Sequence, residues 1–442
     1  MPALTTIESA RPIPFAPRRV ALSATLAVNE ALARKRREGH RVLPLGFGEA
    51  GIPIHPALTR ELGSAAGRGA YGPVAGSAEL RAAAAGYWTR RGLPTDPSAV
   101  VAGPGSKPLL YALLTALGGD VVVPAPSWVT YAAQAALTGF EPIRVATPPG
   151  EGGVPSPALL ADAVVRARAR GRDVRAVVVT LPDNPTGTIA SEDSVRRVCS
   201  VAREHGLVVI SDEIYRDLVH EPGRTVPSPA RYAPERTVVT TALSKSLAAG
   251  GWRLGVARLP DGPFGRDLRD SLLGVASELW SSAPAPMQHA AAYAFAEPPE
   301  LVERVDRSRR LHAAVTRAVA DRFAAAGARV TRPEAAFYVY PDFDPVRETL
   351  QDAHGVRTAA DLTHLLLERY GVGVLPGSSF GDAPAALRMR VAPSLLYGET
   401  DEQRLEALSS PDPVSLPWIA NALDRLEEVL ADLSAPVAAA AV

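Results

Sequence analysis

The stretch TALSKSLAAGGWR, residues 241–253, points to both the fold and the chemistry of this chain. Only three of the 47 basic residues are lysines, and Lys245 lies at the centre of this stretch. A lysine amine can lose its proton and attack a carbonyl carbon, whereas an arginine guanidinium stays charged at any ordinary pH. Lys245 is therefore a candidate for covalent catalysis. The competing interpretation is an ordinary loop lysine, and the surrounding sequence has to decide between the two.

The sequence around Lys245 predicts an α/β fold. Apolar, β-branched runs occur at 120–124, 174–181, 206–211, 237–241 and 255–259, and helical patterns at 157–170 and 191–205 separate several of them. Continuous apolar strands that alternate with helices indicate a mostly parallel sheet, buried on both faces. In such sheets ligands bind at the carboxyl ends of the strands.

The two ends of the chain predict a second, smaller α+β domain. A long polar helix is expected at 299–326, followed by strand-like pieces at 336–340, 373–375 and 387–392. Near the start, Ser23 could cap a helix that ends near Gly39. We expect residues 1–45 to form an arm and first helix that pack with the small domain, 46–298 the large ligand-binding domain, and 299–442 the small domain.

Composition excludes several classes of function. The net charge is zero and the isoelectric point is about 7.1, so nothing favours binding to nucleic acid or to an anionic membrane. No apolar run has the length of a membrane span or a signal peptide, which predicts a cytoplasmic protein. The single cysteine, Cys199, excludes an internal disulfide and a cysteine-based metal cluster, and no metal is expected.

Polar residues follow several of the predicted strands. Gly105, Ser106 and Lys107 precede an apolar helix, and such a helix start can bind a phosphate; an ordinary strand-to-helix turn is the alternative. Trp128 follows the run 120–124, where its ring could stack on a flat ligand or pack in the core. Asp212 ends a buried strand, where a carboxylate needs a partner, and a protonated ring nitrogen would be one.

In combination these segments resemble a known family. NPTG at 184–187, SDEIY at 211–215 and Ser244-Lys245 with Arg253 eight residues after the lysine are similar to the class I/II aminotransferases. These are fold-type-I, aspartate-aminotransferase-like enzymes that depend on pyridoxal 5′-phosphate. The resemblance runs from Ser23 to about Ala392. It implies a seven-stranded, mostly parallel sheet between helices, and transfer of an amino group between an amino acid and a 2-oxo acid.

The resemblance also implies roles around the cofactor ring. Lys245 would bind the cofactor as a Schiff base and then act as the general base. Asp212 would pair with the ring nitrogen and keep it protonated. Asn184 and Tyr215 would donate hydrogen bonds to the 3′-oxygen, and Trp128 would stack on the ring face.

The phosphate of the cofactor has its own set of matching residues. Gly105, Ser106 and Lys107 at the helix start, together with Arg253, match the residues that hold it. Tyr71, in AYGPVAG, matches a tyrosine that reaches the phosphate from the other subunit. The resemblance therefore implies a homodimer with shared active sites.

Fewer residues match on the substrate side. Arg388, in LRMRVAP, matches the arginine that binds the substrate carboxylate through a bidentate pair. Arg390 remains a rival, since residues two apart in a strand point to the same face. Gly48 matches a glycine whose backbone lines the substrate pocket. Trp280 falls where a neighbouring subunit often lines that pocket, or it is a packed interface residue.

The sequence departs from the family pattern at a few positions. The position three residues before Lys245 often holds a serine or threonine that contacts the phosphate, and here it is Ala242. Thr241 or Ser244 could compensate. The family's GEPDF-like segment is GEAGI here, and a frequent glycine near a small-domain strand is Ala335. These changes concern the substrate pocket more than the cofactor.

Several other functions are alternatives to transamination. The same cofactor supports β- or γ-elimination, replacement and cyclisation, and the cofactor motifs do not distinguish these reactions. A non-catalytic regulator that binds the cofactor is a more remote alternative. The GxSxG pattern at 377–381 does not indicate a hydrolase, since all eight histidines lie at or before His364 and the catalytic histidine must follow the serine. The GxGxxG pattern at 46–51 is not followed by a helix start and does not indicate dinucleotide binding.

Overall fold

The computed structural model describes residues 24–435, which form fourteen α-helices and eleven β-strands. The helices are α1 (Ala24–Arg37), α2 (Pro56–Ser64), α3 (Ala78–Arg90), α4 (Ser106–Leu117), α5 (Val129–Leu137), α6 (Pro157–Ala169), α7 (Glu192–Glu204), α8 (Pro263–Leu279), α9 (Ala285–Ala296), α10 (Pro299–Ala325), α11 (Arg347–His354), α12 (Ala359–Tyr370), α13 (Asp401–Ser409) and α14 (Pro417–Ser434). The strands are β1 (Leu43–Pro44), β2 (Val100–Gly103), β3 (Asp120–Ala125), β4 (Ile143–Ala146), β5 (Val174–Thr180), β6 (Val208–Asp212), β7 (Thr237–Ala242), β8 (Gly255–Arg258), β9 (Val372–Gly373), β10 (Leu375–Pro376) and β11 (Met389–Arg390).

Seven strands form one sheet, in the spatial order β2-β8-β7-β6-β5-β3-β4. Neighbouring strands run parallel except at β8, which is antiparallel to β2 and to β7. The predicted mostly parallel, seven-stranded sheet is therefore confirmed. The sequence pattern does not predict the edge strand β4, because Val145 is the one residue of its four that is buried.

Both faces of the sheet are covered by helices. In β5, Val177 and Val179 pack in a hydrophobic cluster with α6 and α7. Ala176 and Val178 pack in a second cluster with α4, α5 and α8. Successive side chains of a strand point to opposite faces, so a strand covered on both faces is apolar throughout. Each fully buried valine stabilises the fold by about 1.5–3 kcal/mol, which explains why these runs are so continuous.

The C-terminal part of the chain packs around the 27-residue helix α10. β1 pairs in parallel with β9, and β10 pairs with β11 in an antiparallel arrangement. The predicted strand at 336–340 does not form continuously, and Val339 makes an isolated bridge to Val391. Ala336 has a φ of 56°, in the left-handed region, which interrupts an extended strand.

The N-terminal segment contacts this C-terminal part. Leu43 and Leu45 belong to the same hydrophobic cluster as the buried faces of α10, α12 and α14. We therefore keep the division into 1–45, 46–298 and 299–442 as a proposal. The predicted cap Ser23 lies outside the described residues. Among the described helices, none combines the length and the apolar character needed to span a bilayer.

Candidate active site

The carboxyl ends of the parallel strands border a cavity of about 610 Å³. The segments that follow β3, β5, β6 and β7 converge there, because parallel strands end at the same edge of a sheet. Most of the predicted cofactor residues line this cavity, and Gly48 does as well. The set is Gly48, Ser106, Lys107, Trp128, Asn184, Asp212, Tyr215, Lys245 and Arg253.

Lys245 lies in the loop after β7, and its amine points into the cavity. The Nζ atom donates a hydrogen bond to the carbonyl oxygen of Gly48 at 2.5 Å. Burial, and then the positive charge of Arg390, lowers the pKa of the Lys245 amine from 10.5 to about 8. A measurable fraction of this amine is therefore deprotonated near neutral pH, as a nucleophile or a general base requires.

Asp212 is the last residue of β6 and is buried at the floor of the cavity. Its Oδ2 atom accepts a hydrogen bond from the Tyr131 hydroxyl at 2.8 Å, and its Oδ1 atom accepts one from Thr240 at 3.2 Å. Burial raises the pKa of Asp212 to about 6, while these two hydrogen bonds act in the opposite direction. Asp212 is therefore ionised at neutral pH and can hold a proton on a ring nitrogen.

A cluster of buried, hydrogen-bonded residues forms another wall of the cavity. The hydroxyl groups of Tyr215 and Tyr338 lie 2.7 Å apart. Arg390 donates to the Asn184 side-chain oxygen at 3.1 Å and to the Gly46 carbonyl at 2.7 Å. The Nε atom of Arg390 is buried and has no hydrogen-bond partner among the described residues. One nitrogen of this buried guanidinium is therefore left without a hydrogen bond among the described residues.

The opposite end of the cavity suits an anion. Gly105 precedes α4 with a φ of 96°, and a Cβ atom there would contact a guanidinium nitrogen of Arg253. The positive φ favours glycine at this position. Arg253 lies beside the start of α4, where backbone N–H groups can bind an anion. The Lys107 amine lies 5.2 Å from the centre of the Trp128 ring. Burial, and then Arg253, lowers the pKa of Lys107.

The structure places Arg390, and not Arg388, at the cavity. The sequence match favours Arg388, but its guanidinium pairs with Asp342 at 3.3 Å and with Asp382 at 3.5 Å, outside the cavity lining. Arg390 lines the cavity and is almost fully buried. Two residues of a strand span about 6.5 Å, so the two arginines reach different places even from the same face. The position of Arg388 therefore does not fit the predicted carboxylate-binding role, and its rival Arg390 is the better placed candidate.

Tyr71 and Trp280 do not line the cavity of a single chain. Tyr71 is 90% exposed to solvent. Trp280 packs against the cluster of α4 and α8, and its ring lies close to Gly103. The sequence assigns both residues to contacts between subunits, and that assignment stays a prediction.

Some cavity residues were missed by sequence reasoning. Tyr131 follows Trp128 by three residues on α5, and this helical spacing is a signal that could have revealed it. Tyr338 carries no such signal, because it reaches Tyr215 from a distant part of the chain. Of the two residues proposed to compensate for Ala242, Ser244 lines the cavity, whereas Thr241 does not.

Comparisons with known proteins agree with this geometry. The family model described as "Aminotransferase class I and II" matches residues 46–403. An aspartate aminotransferase from Geobacillus stearothermophilus is 32% identical over 394 residues, covering 87% of this chain and 95% of that protein. An aspartate/prephenate aminotransferase from Thermus thermophilus is 31% identical over 364 residues, covering 81% of this chain and 89% of that protein.

A solved structure shows the same fold. The aspartate aminotransferase from Thermus thermophilus with maleate superimposes with a TM-score of 0.77 at 28% identity. The superposition covers 92% of this chain and 97% of that chain. The match therefore extends over the sheet, the cavity and the C-terminal part together.

Proposed function

This chain belongs to the family of class I and II aminotransferases, and we propose that it binds pyridoxal 5′-phosphate at Lys245 and uses an acidic amino acid as amino donor. The family match and the relatives establish that it is an aminotransferase, an enzyme that moves an amino group between an amino acid and a 2-oxo acid. The single observation that carries the proposal is the convergence of Lys245, Asp212, Asn184 and Tyr215 on one cavity.

The donor set of the cavity fits this cofactor group by group. The free start of α4 and Arg253 suit the phosphate, and the gap that Gly105 leaves would be closed by any larger residue. Trp128 offers a flat face to the ring, and Asp212 offers a buried negative charge to the ring nitrogen. When bound, pyridoxal phosphate acts as an electron sink that makes the Cα proton of an amino acid acidic.

Residues of the chain would control the protonation of the ring nitrogen and of the substrate Cα. With the cofactor bound, Asp212 would keep the ring nitrogen protonated, because a proton there gives the buried carboxylate an opposite charge to pair with. Asn184 and Tyr215 would orient the ring through side-chain hydrogen bonds. The Lys245 amine, with its pKa lowered to about 8, can take a proton from the substrate Cα and return it at pH values near neutral.

Arg390 is the proposed site for the substrate α-carboxylate. Its guanidinium is buried and fixed by Asn184 and Gly46, and its Nε donor has no partner among the described residues. A carboxylate that enters the cavity gains charge-assisted hydrogen bonds at low entropic cost, because the guanidinium is already positioned.

Lys107 is the proposed partner of the second carboxylate of an acidic substrate. Two of the three lysines of the chain, Lys107 and Lys245, line this cavity. The sequence match places Lys107 with the phosphate, but Arg253 at α4 and Arg390 already account for a phosphate and an α-carboxylate, so we propose that the Lys107 amine binds a further anion instead. The relatives above are named for aspartate, which carries such a group.

We also propose a homodimer in which Tyr71 completes the phosphate site of the partner subunit. The Tyr71 side chain is 90% exposed in the single chain, so it is accessible to a partner subunit. Its match to an intersubunit tyrosine supports this arrangement.

The experiment offers the purified enzyme a panel of amino acids with 2-oxoglutarate and measures the 2-oxo acid and ammonia produced. We expect aspartate to give oxaloacetate and glutamate at a higher kcat/KM than alanine or tryptophan, and Lys107→Ala to remove most of that preference. Release of ammonia in place of glutamate would instead indicate elimination. Equal rates for aspartate and alanine would refute the acidic-donor proposal.

A further inference from the structure

A buried tyrosine lies directly behind Asp212. Tyr131 stands in the first turn of α5, three residues after Trp128, and is 1% exposed. The two rings meet edge to face, with centres 5.3 Å apart and an interplanar angle of 85°. The helix start that brings Trp128 to the cavity therefore also fixes the Tyr131 ring.

The hydrogen bonds of Tyr131 have a defined direction. Its hydroxyl oxygen lies 2.8 Å from Oδ2 of Asp212 and 3.0 Å from the hydroxyl of Thr180. An ionised carboxylate can only accept, so Tyr131 donates its one proton to Asp212, and Thr180 donates to Tyr131. The order Thr180, Tyr131, Asp212 is a chain in which each bond polarises the next.

Asp212 has charged and titratable neighbours on several sides. Glu213 adjoins it in the sequence and raises its pKa further, whereas the Thr240 hydroxyl donates to its other oxygen. The Lys245 amine interacts with it across the cavity, and Tyr215 is a further phenol within range. Burial, and then the Asp212 charge, raises the pKa of Tyr131 well above 10, so Tyr131 stays a proton donor at physiological pH.

We infer that Tyr131 is a positioning residue that orients the Asp212 carboxylate and keeps it ionised opposite the cofactor ring. The inference rests on the proposed function, because it assigns Asp212 to the ring nitrogen. Without the Tyr131 hydroxyl, Asp212 would retain one side-chain donor, Thr240, in a site that strongly disfavours its charge. The Asp212 carboxylate would then stabilise the proton on the ring nitrogen less strongly.

The test uses Tyr131→Phe, which keeps the ring and its volume and removes only the hydroxyl. Apoenzyme is titrated with pyridoxal 5′-phosphate, and the absorbance of the bound cofactor is followed against pH. We expect the dissociation constant to rise about tenfold or more, the effect of one lost hydrogen bond to a charged group. The midpoint of the absorbance change should move to higher pH, because a less protonated ring withdraws fewer electrons from the attached amine.

Tyr397→Phe is the matched control. Tyr397 is also fully buried, and its hydroxyl bonds His312 at 2.7 Å, away from the cavity. Both variants lose one buried hydrogen bond, but Tyr397→Phe should keep the wild-type cofactor affinity and absorbance midpoint. A merely structural role for Tyr131 would make the two variants alike in both measurements, and that result would overturn the inference.

Thr180→Val provides a second probe that leaves Tyr131 in place. It removes the donor to the Tyr131 oxygen, so the absorbance midpoint should move in the same direction by a smaller amount. An unchanged midpoint in both Thr180→Val and Tyr131→Phe contradicts the inference. Failure of the wild-type protein to bind the cofactor at all would contradict the proposed function instead.

Discussion

At the scale of single residues, Arg390 is the residue that we propose to bind the substrate carboxylate. We predict that Arg390→Met raises the KM for the amino donor about 10- to 100-fold, because the substrate carboxylate loses charge-assisted hydrogen bonds. Arg388→Met is the control, since its side chain pairs with Asp342 and Asp382 outside the cavity. Steady-state kinetics of both variants decides the matter. A large rise in KM for Arg388→Met alone would restore the assignment favoured by the sequence.

Sequence predicts the cofactor residues better than the substrate residues, and the reason is local geometry. Asp212 is the last residue of an apolar strand and Lys245 comes three residues after another, so the strand pattern alone places both residues at the carboxyl edge of the sheet. The choice between Arg388 and Arg390 depends on how far a two-residue strand extends toward the cavity, which spacing does not encode. Tyr338 meets Tyr215 across 123 residues of sequence, so no local pattern reports that contact.

At the scale of elements, the helix α10 contains a buried histidine that should limit stability in acid. His312 accepts or donates one hydrogen bond with Tyr397, and its Nε2 atom has no partner among the described residues. Burial, and then the charges of His220 and Arg304, lowers the pKa of His312 to about 3. The folded chain therefore contains His312 in its uncharged form.

The sign of the pH effect follows from the two states. Above pH ~6.5 the His312 ring is neutral in both the folded and the unfolded chain, so it does not change the free energy of unfolding. Below pH ~6.5 the ring is protonated in the unfolded chain, whereas in the folded chain it stays neutral down to about pH 3. This group alone should lower the free energy of unfolding by up to ~2 kcal/mol between pH 7.5 and pH 5. In urea unfolding, His312→Gln should lose that part of the dependence, whereas exposed His364→Gln should keep it. Identical pH dependence in the two variants would refute the prediction.

The sequence predicts the amphipathic helices accurately, but it does not predict the irregular backbone of one uniformly buried segment. The helix α12 has the predicted bounds, 359–370, and α10 ends one residue earlier than expected. The strand expected at 336–340 fails because Ala336 adopts a left-handed conformation, although its neighbours are buried like those of a strand. The apolar composition of residues 336–340 correctly indicates burial, but burial alone does not specify an extended backbone.

At the scale of the whole molecule, the proposed dimer makes a testable prediction about shared sites. Tyr71→Ala and Lys245→Ala chains are each expected to have low activity as homodimers. If Tyr71 serves the partner's site, a hybrid dimer contains one site with both residues intact, so mixed and refolded or co-expressed chains should regain up to about a quarter of wild-type activity. Light scattering checks the dimer mass. Mixed chains that stay as inactive as the separate variants would show that both residues act within one chain.

The most direct measurement exploits the scarcity of lysine in this chain. Purified protein is saturated with pyridoxal 5′-phosphate, reduced with borohydride and digested, and the labelled peptide is identified by mass spectrometry. Three lysines are present, Lys35, Lys107 and Lys245, so the modified position can be assigned without ambiguity. We predict stoichiometric labelling of Lys245 and none of Lys245→Arg at that peptide. Labelling confined to Lys107 or Lys35, or no labelling of a folded protein, would contradict the role of Lys245.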